Sequence, residues 1–358
     1  MSIDPSLTLP RRSRRRIFIP TILLLVIAAA WSVFWWYAAG KAEQVWNTVV
    51  ARQAERGVLI TCKDRAFGGF PFRFEVRCAA PNIEMTRDER KTVVTAAAFR
   101  LVAQIYQPNK LIVEVDGPMV VTNPDGQTVE ASWKSAQGSL SVWTDGPQDL
   151  RLVVDGLDAV MTQDGERRPL VQTARLEAYA RRSATANAAP GSYDLNSTVT
   201  AQALPEVDLL LGEATPAKGQ LEGMITGLID WRPKPGPQFL RDWAAAGGVL
   251  HIDSARLDRG PTSLIVAGNL AADDEGRANG KDLTVKISGV KELSDTIKRS
   301  GLAPANLANF LGVGLAIAGK PGNIDGKPAV EVPITLSKGK VGVGGIALVA
   351  VPRLFQPE

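Results

Sequence analysis

The chain has 358 residues, 45% of them apolar, enough to bury a large core in one to three domains. Its formal net charge of +4 is carried entirely by the N-terminus, where Arg11, Arg12, Arg14, Arg15 and Arg16 face only Asp4; the remaining chain is balanced. A nucleic-acid binder needs a basic surface to neutralise phosphates, so that class is excluded.

Residues 17–39 carry no charge and are rich in Ile, Leu, Val and Ala. At about 1.5 Å per residue they predict roughly 35 Å of helix, enough to cross a bilayer. The five arginines before this stretch predict a cytoplasmic N-terminus by the positive-inside rule. Trp31, Trp35, Trp36 and Tyr37 at its far end read as anchors at headgroup level. Two competing readings are a signal peptide cleaved near Ala28, Ala29 and Ala30, and a twin-arginine export signal at Ser13, Arg14 and Arg15. The first is disfavoured because apolar residues continue to Tyr37, the second because no cofactor motif calls for export of a folded protein. The expected layout is a cytoplasmic tail (1–16), a transmembrane helix acting as signal anchor (17–39), a stalk helix (40–57) and a β-rich periplasmic domain (58–358). A sub-domain seam is placed near residues 204–219.

Beyond the membrane, Ala42, Val45, Trp46, Val49, Val50 and Ala54 recur at helical spacing up to Gly57. The stalk is expected to lay this stripe against the domain. The two cysteines, Cys62 and Cys78, lie eight residues either side of Phe70, which Gly68, Gly69 and Pro71 surround with turn chemistry. Strands folding back there set the sulfurs opposite each other, and an oxidising compartment closes them into a disulfide. A reduced buried pair and a redox couple are the alternatives; the C-x-x-C spacing of the latter is missing.

From Val58 onward the period is two. Val129, Ala131 and Trp133, then Leu283, Val285 and Ile287, then Val330, Val332, Ile334 and Leu336 alternate with mostly polar neighbours. Asp164-Gly165, Asp325-Gly326 and the Asn123 to Gly126 turn join them into antiparallel hairpins. Residues 183–192 read as a long hairpin tip. Helices are expected over 237–246, 291–300 and 304–318, the last almost wholly apolar and too short to span a bilayer. The predicted fold class is α+β, mainly antiparallel β: a transmembrane helix continuing into a stalk, then a large curved sheet with a few short covering helices.

The search for chemistry is negative. His251 is the sole histidine and sits in a strand-like run. Residues 314–320 imitate a phosphate-binding loop, but Pro321 replaces its Ser or Thr; residues 342–347 imitate a dinucleotide fingerprint without a following helix. Asn196 to Thr198 fits a glycosylation triplet that a bacterium leaves silent. No catalytic residue, metal or cofactor is expected.

Cys62, the run Gly69-Phe70-Pro71-Phe72-Arg73-Phe74, Cys78, the Lys338-Gly339-Lys340-Val341 turn and the ending Val351-Pro352-Arg353-Leu354-Phe355 resemble the domain-of-unknown-function 2125 family. Gly69, Phe70, Pro71 and Phe72 are the most specific part of that resemblance. The spacing of Gly268, Asp273, Gly276 and Gly280 is also similar to AsmA-like envelope proteins. These resemblances imply a β-rich periplasmic domain in the bacterial inner membrane and a role in lipid handling or envelope homeostasis, with no catalytic residue to carry over. The expected function is binding of lipid or another amphiphile on an uncovered apolar sheet face, against a closed core in which sheet folds on sheet or helices 237–246 and 304–318 complete the cover. The alternative is a non-catalytic scaffold for other envelope proteins.

Overall fold

The computed structural model describes residues 15–87, 90–185, 189–211, 214–230, 236–301, 315, 319–343 and 346–355. Arg11, Arg12, Arg14 and, apart from Leu315, the expected 304–318 helix lie outside them.

Helix α1 spans Arg15–Ala54, and its N-terminal part is long and apolar enough to cross a membrane. The chain reverses at Gly57, whose φ of +80° and close approach to the Thr86 carbonyl leave no room for a Cβ. From Val58 the chain builds one antiparallel sheet of 22 strands. Its first part is a meander of seven long runs: 58–68, 73–87, 90–104, 107–122, 128–143, 146–163 and 166–182. All but the last are interrupted at a common level, where backbone bonds such as Lys63 N–H to Ala79 O, Ala97 N–H to Asp116 O and Lys134 N–H to Asp155 O carry the sheet across. The continuous seventh strand, Glu166–Arg182, pairs with 158–163 along one half and with 149–155 along the other, and its register shifts around Thr173. Such bulges bend strands, so the sheet is curved. Among the described residues it does not close: the first and last strands are each paired on one side only.

The meander continues through Tyr193–Ala203, Ala217–Ile225, Leu250–Arg259, Thr262–Ala272 and Ala278–Ser288 to the shorter strands between Lys320 and Ala350. The strands on either side of 204–219 pair directly, from Tyr193 opposite Ile225 to Ala201 opposite Ala217. Their connection contains α2 (Pro205–Leu211), a helix the sequence reading missed, held by an ion pair from the buried Arg259 to Asp208 at 2.6 Å. Helices α3 (Gly236–Ala245) and α4 (Val290–Ser300) lie close to their expected places. The hairpins at Asp164-Gly165 (φ 53° and 82°) and Asp325-Gly326 (φ 51° and 80°) turn with both central residues left-handed, the geometry that matches the twist of paired strands.

Residues directly opposed across antiparallel strands share a face, so the register identifies each face. One row runs Phe67, Val76, Leu101, Val113, Gly138, Leu152, Ala178, Ser197, Leu221, Ala255, Val266, Val285 and Val332. The row two residues away begins at Arg65, opposite Cys78, and is apolar from Cys78 and Phe99 through Val154 and Leu257 to Ile287 and Val330. On the opposite face, Arg77, Arg100, Glu114, Gln137, Glu177, Thr198, Gln220 and Arg256 occupy the matching positions, interrupted by Val153. The sheet therefore has one mainly apolar face and one mainly polar face, with exceptions such as Arg65 on the first and Ile265 on the second.

Candidate functional site

Two different covers meet the apolar face. At the C-terminal side, Val207 of α2, Val290, Leu293 and Ile297 of α4, and Leu315 pack on Leu264, Val285, Ile287, Val330 and Val332. A second cluster, Ala278, Leu283 and Leu336 with Leu270 and Val341, adjoins it. At the N-terminal side, α1 lies along the first strands. Trp46 sits 6.1 Å from Phe99 and Trp35 stacks 6.4 Å from Phe74, both on the apolar face. Between these covers, Leu101, Val113, Leu140, Leu150, Leu152 and Leu195 are all half-buried or exposed. This open middle of the apolar face is the candidate site.

The stalk covers less than its sequence pattern predicts. Ala42, Trp46 and Val50 are partly buried, but Val45, Val49 and Ala54 are exposed. The periodic stripe is wider than the strip of sheet available to receive it, so one side of the stalk stays bare.

The predicted aromatic anchors divide into two pairs. Trp31 donates its indole N–H to the Pro71 carbonyl at 3.0 Å, and Trp35 donates to the Arg73 carbonyl at 3.2 Å. Trp31 also packs 6.1 Å from Phe72, and Trp35 meets Phe70 edge-on at 5.3 Å. Trp36 and Tyr37 are exposed, with the Lys41 ammonium 5.7 Å from the Tyr37 ring. The motif Gly69, Phe70, Pro71 and Phe72 is thus a hairpin tip fastened to α1, with a cis bond between Phe70 and Pro71. Sequence reading placed the tryptophans and the motif separately and gave no sign that they meet. Of the topology residues, Arg15 and Arg16 begin α1.

Cys62 and Cys78 form a disulfide with Cα atoms 5.4 Å apart. It stands at the level where the long strands are interrupted, and Cys78 is fully buried beside Phe99 of the apolar face. On the polar face nearby, the sequence reading missed Glu75, which is only 1% exposed beneath Arg73, Arg77 and Arg100. The hydrogen bond from Arg77 holds its carboxyl below the ordinary glutamate range, opposed by burial and reinforced by the charges of Arg77, Arg73 and Arg100. Its periodicity gave no clue, because the cover comes from long arginine stems rather than from a second layer.

His251 faces Asn269 across neighbouring strands, Nδ1 to Oδ1 at 2.6 Å. No group of His, Cys, Asp or Glu among the described residues is arranged to hold a metal ion. A pocket of about 380 Å³ between Gly227–Asp230 and α3, lined by Ile229, Phe239 and Trp243, lies outside the open middle of the sheet. The geometry offers a broad, partly exposed apolar surface at the middle of the sheet.

No curated protein and no solved structure matches this chain. The sequence profile of the DUF2125 family, described as an uncharacterised protein conserved in bacteria, matches residues 35–352, and the chain belongs to that family.

Proposed function

We propose that this protein is a single-pass inner-membrane protein whose periplasmic sheet shelters the hydrocarbon of a lipid or similar amphiphile on the open middle of its apolar face. The observation that carries this reading is Leu152, which is 39% exposed in the same cross-strand row as the 1% exposed Val332. Contiguous apolar surface of this kind marks a binding site. The arginine-rich start, the apolar span and the disulfide support the orientation, because disulfides persist in oxidising compartments. No residue is assigned a catalytic role.

Native mass spectrometry of the gently extracted full chain tests the reading directly. Co-purifying lipid is the expected result. In a titration, delipidated protein should take up a fluorescent phospholipid, and Leu150→Asp with Leu152→Asp should abolish uptake while keeping the fold. Uptake unaffected by that pair would remove the open middle as the site. A reporter fused after Glu358 checks the topology, which fails if the reporter is active only in the cytosol.

A scaffold role is the second reading, favoured by the bare side of the stalk at Val45 and Val49. Crosslinkers placed over residues 41–56 should then trap one reproducible protein neighbour, and scattered products would count against it.

A further inference from the structure

The two ends of the long strands differ sharply in chemistry. At the end where the 69–72 tip meets α1, the first three hairpins carry Phe70 (57% exposed), Phe72 (61%), Tyr106 (68%) and Trp143 (62%). The tips are neighbours: Ile105 N–H donates to the Phe72 carbonyl at 3.0 Å, and strand Gln107–Asp116 pairs with Ser135–Trp143. At the opposite end the turns are polar, with Asp125, Gly126, Asp164 and Gly165, and Arg90 pairs with Asp125 at 2.8 Å. Large aromatic side chains bared on adjacent tips at one end only call for an apolar partner there.

The depth of α1 identifies that partner. With Arg16 as the last charge, about 20 residues are needed to cross the hydrocarbon core, which puts its outer boundary near Trp36. Trp31 and Trp35 fall at or below that boundary, and so does the tip bonded to them. In such surroundings polar groups need internal partners, and most of the tip's carbonyls have one. Pro71 has no N–H; the carbonyls of Gly69, Pro71, Phe72 and Arg73 accept from Arg73 N–H, Trp31, Ile105 N–H and Trp35 respectively.

We propose that the hairpin tips bearing Phe70, Phe72, Tyr106 and Trp143 are seated in the interfacial layer of the leaflet from which α1 emerges. Aromatic rings favour that layer because one end of the ring system is apolar and, for Tyr and Trp, the other is polar. The strands then stand away from the membrane, and the open apolar face begins at the lipid surface. This proposal rests on α1 spanning the bilayer, and it goes beyond amphiphile binding by naming the membrane contact itself.

The test uses the full chain in vesicles of phosphatidylethanolamine and phosphatidylglycerol, with p-benzoylphenylalanine replacing one residue at a time. Irradiation at positions 70, 106 and 143 should give lipid adducts, and positions 125 and 164 should give none above background. Position 27, inside the apolar span, is the control for the helix. Adducts at 27 but none at 106 and 143 overturn the docking proposal while leaving the span intact; no adducts at 27 overturn the span itself. In cells, crosslinks from 106 and 143 to one protein instead of lipid would also overturn it.

Discussion

Leu152 and Val332 stand in one cross-strand row of one sheet, yet the first is half in solvent and the second is sealed. Their strands share the same alternation and the same apolar residue types, so strand pattern does not separate them. What differs is the second layer. Over Val332, α4 and α2 bring Ile297, Leu293 and Val207 down onto the sheet; over Leu152 no helix is set among the described residues. The open half is held instead by its disulfide and by a polar ladder on its other face, including Arg77–Glu75, Arg151–Asp149 and Arg175–Glu177. A single sheet thus uses two means of stabilisation, apolar burial where a layer covers it and cross-links where one face is left free.

The largest effect should come from placing a charge in each region. Val332→Asp buries a carboxylate with no partner, and the loss of several kcal/mol should prevent folding or exhaust most of the stability. Leu152→Asp, with its side chain partly in water, should cost less than about 1 kcal/mol. Urea unfolding of the lipid-free protein measures both. Equal costs would break the comparison, since Leu152 would then have to be covered.

The disulfide comes next. Linking residues 16 apart in sequence removes loop entropy worth about 3 kcal/mol. Cys62→Ser with Cys78→Ser should lose that amount, and amide exchange should locate the loss. Strands 58–68 and 73–87 should exchange faster, while 278–288 and 327–337 keep their protection. Uniform loosening would show that the two regions unfold as one unit and that the staple is not local.

Much of this contrast was legible in the sequence and part was not. Alternation fixed which residues share a face, and the Asp-Gly turns fixed where strands reverse, because both are local chemistry. The helices 236–245 and 290–300 were readable from their apolar spacing and glycine ends. The fastening of Trp31 and Trp35 to the 69–73 tip was not, since it joins residues 38 to 40 apart through backbone carbonyls that carry no sequence signal. Nor was the uneven cover: α2 is only seven residues long, too short to declare a period.

A smaller effect tests the polar ladder. Glu75 has its pKa lowered in the folded protein, first by the Arg77 hydrogen bond, so its stabilising contribution is present above the unfolded glutamate value of about 4.3 and is lost as pH falls through the folded value. Asp258 in the covered half, lowered first by Arg256, contributes with the same sign, so a variant is needed to separate them. Glu75→Gln should cost about 1–2 kcal/mol at neutral pH and should flatten the acid limb of the stability curve. Parallel curves for the two proteins between about pH 7 and 3 would mean that the open half does not depend on this carboxylate.

The smallest effect concerns the cover itself. Helix α4 ends at Gly301, whose φ of +66° lies in the left-handed region and whose N–H donates to the Ile297 carbonyl at 3.3 Å. Among the described residues nothing stands within 4 Å of where a Cβ at this position would lie, so Gly301→Ala meets mainly backbone strain and should cost about 1 kcal/mol. The helix is one of the elements sealing Ile287 and Val332. Its weakening should therefore appear as faster amide exchange over 290–300 and over strand 278–288 beneath it, with 98–104 and 146–155 unchanged. Faster exchange in those strands, which α4 does not touch, would mean that the cover stabilises the whole sheet, and the boundary drawn between the two regions would have to be abandoned.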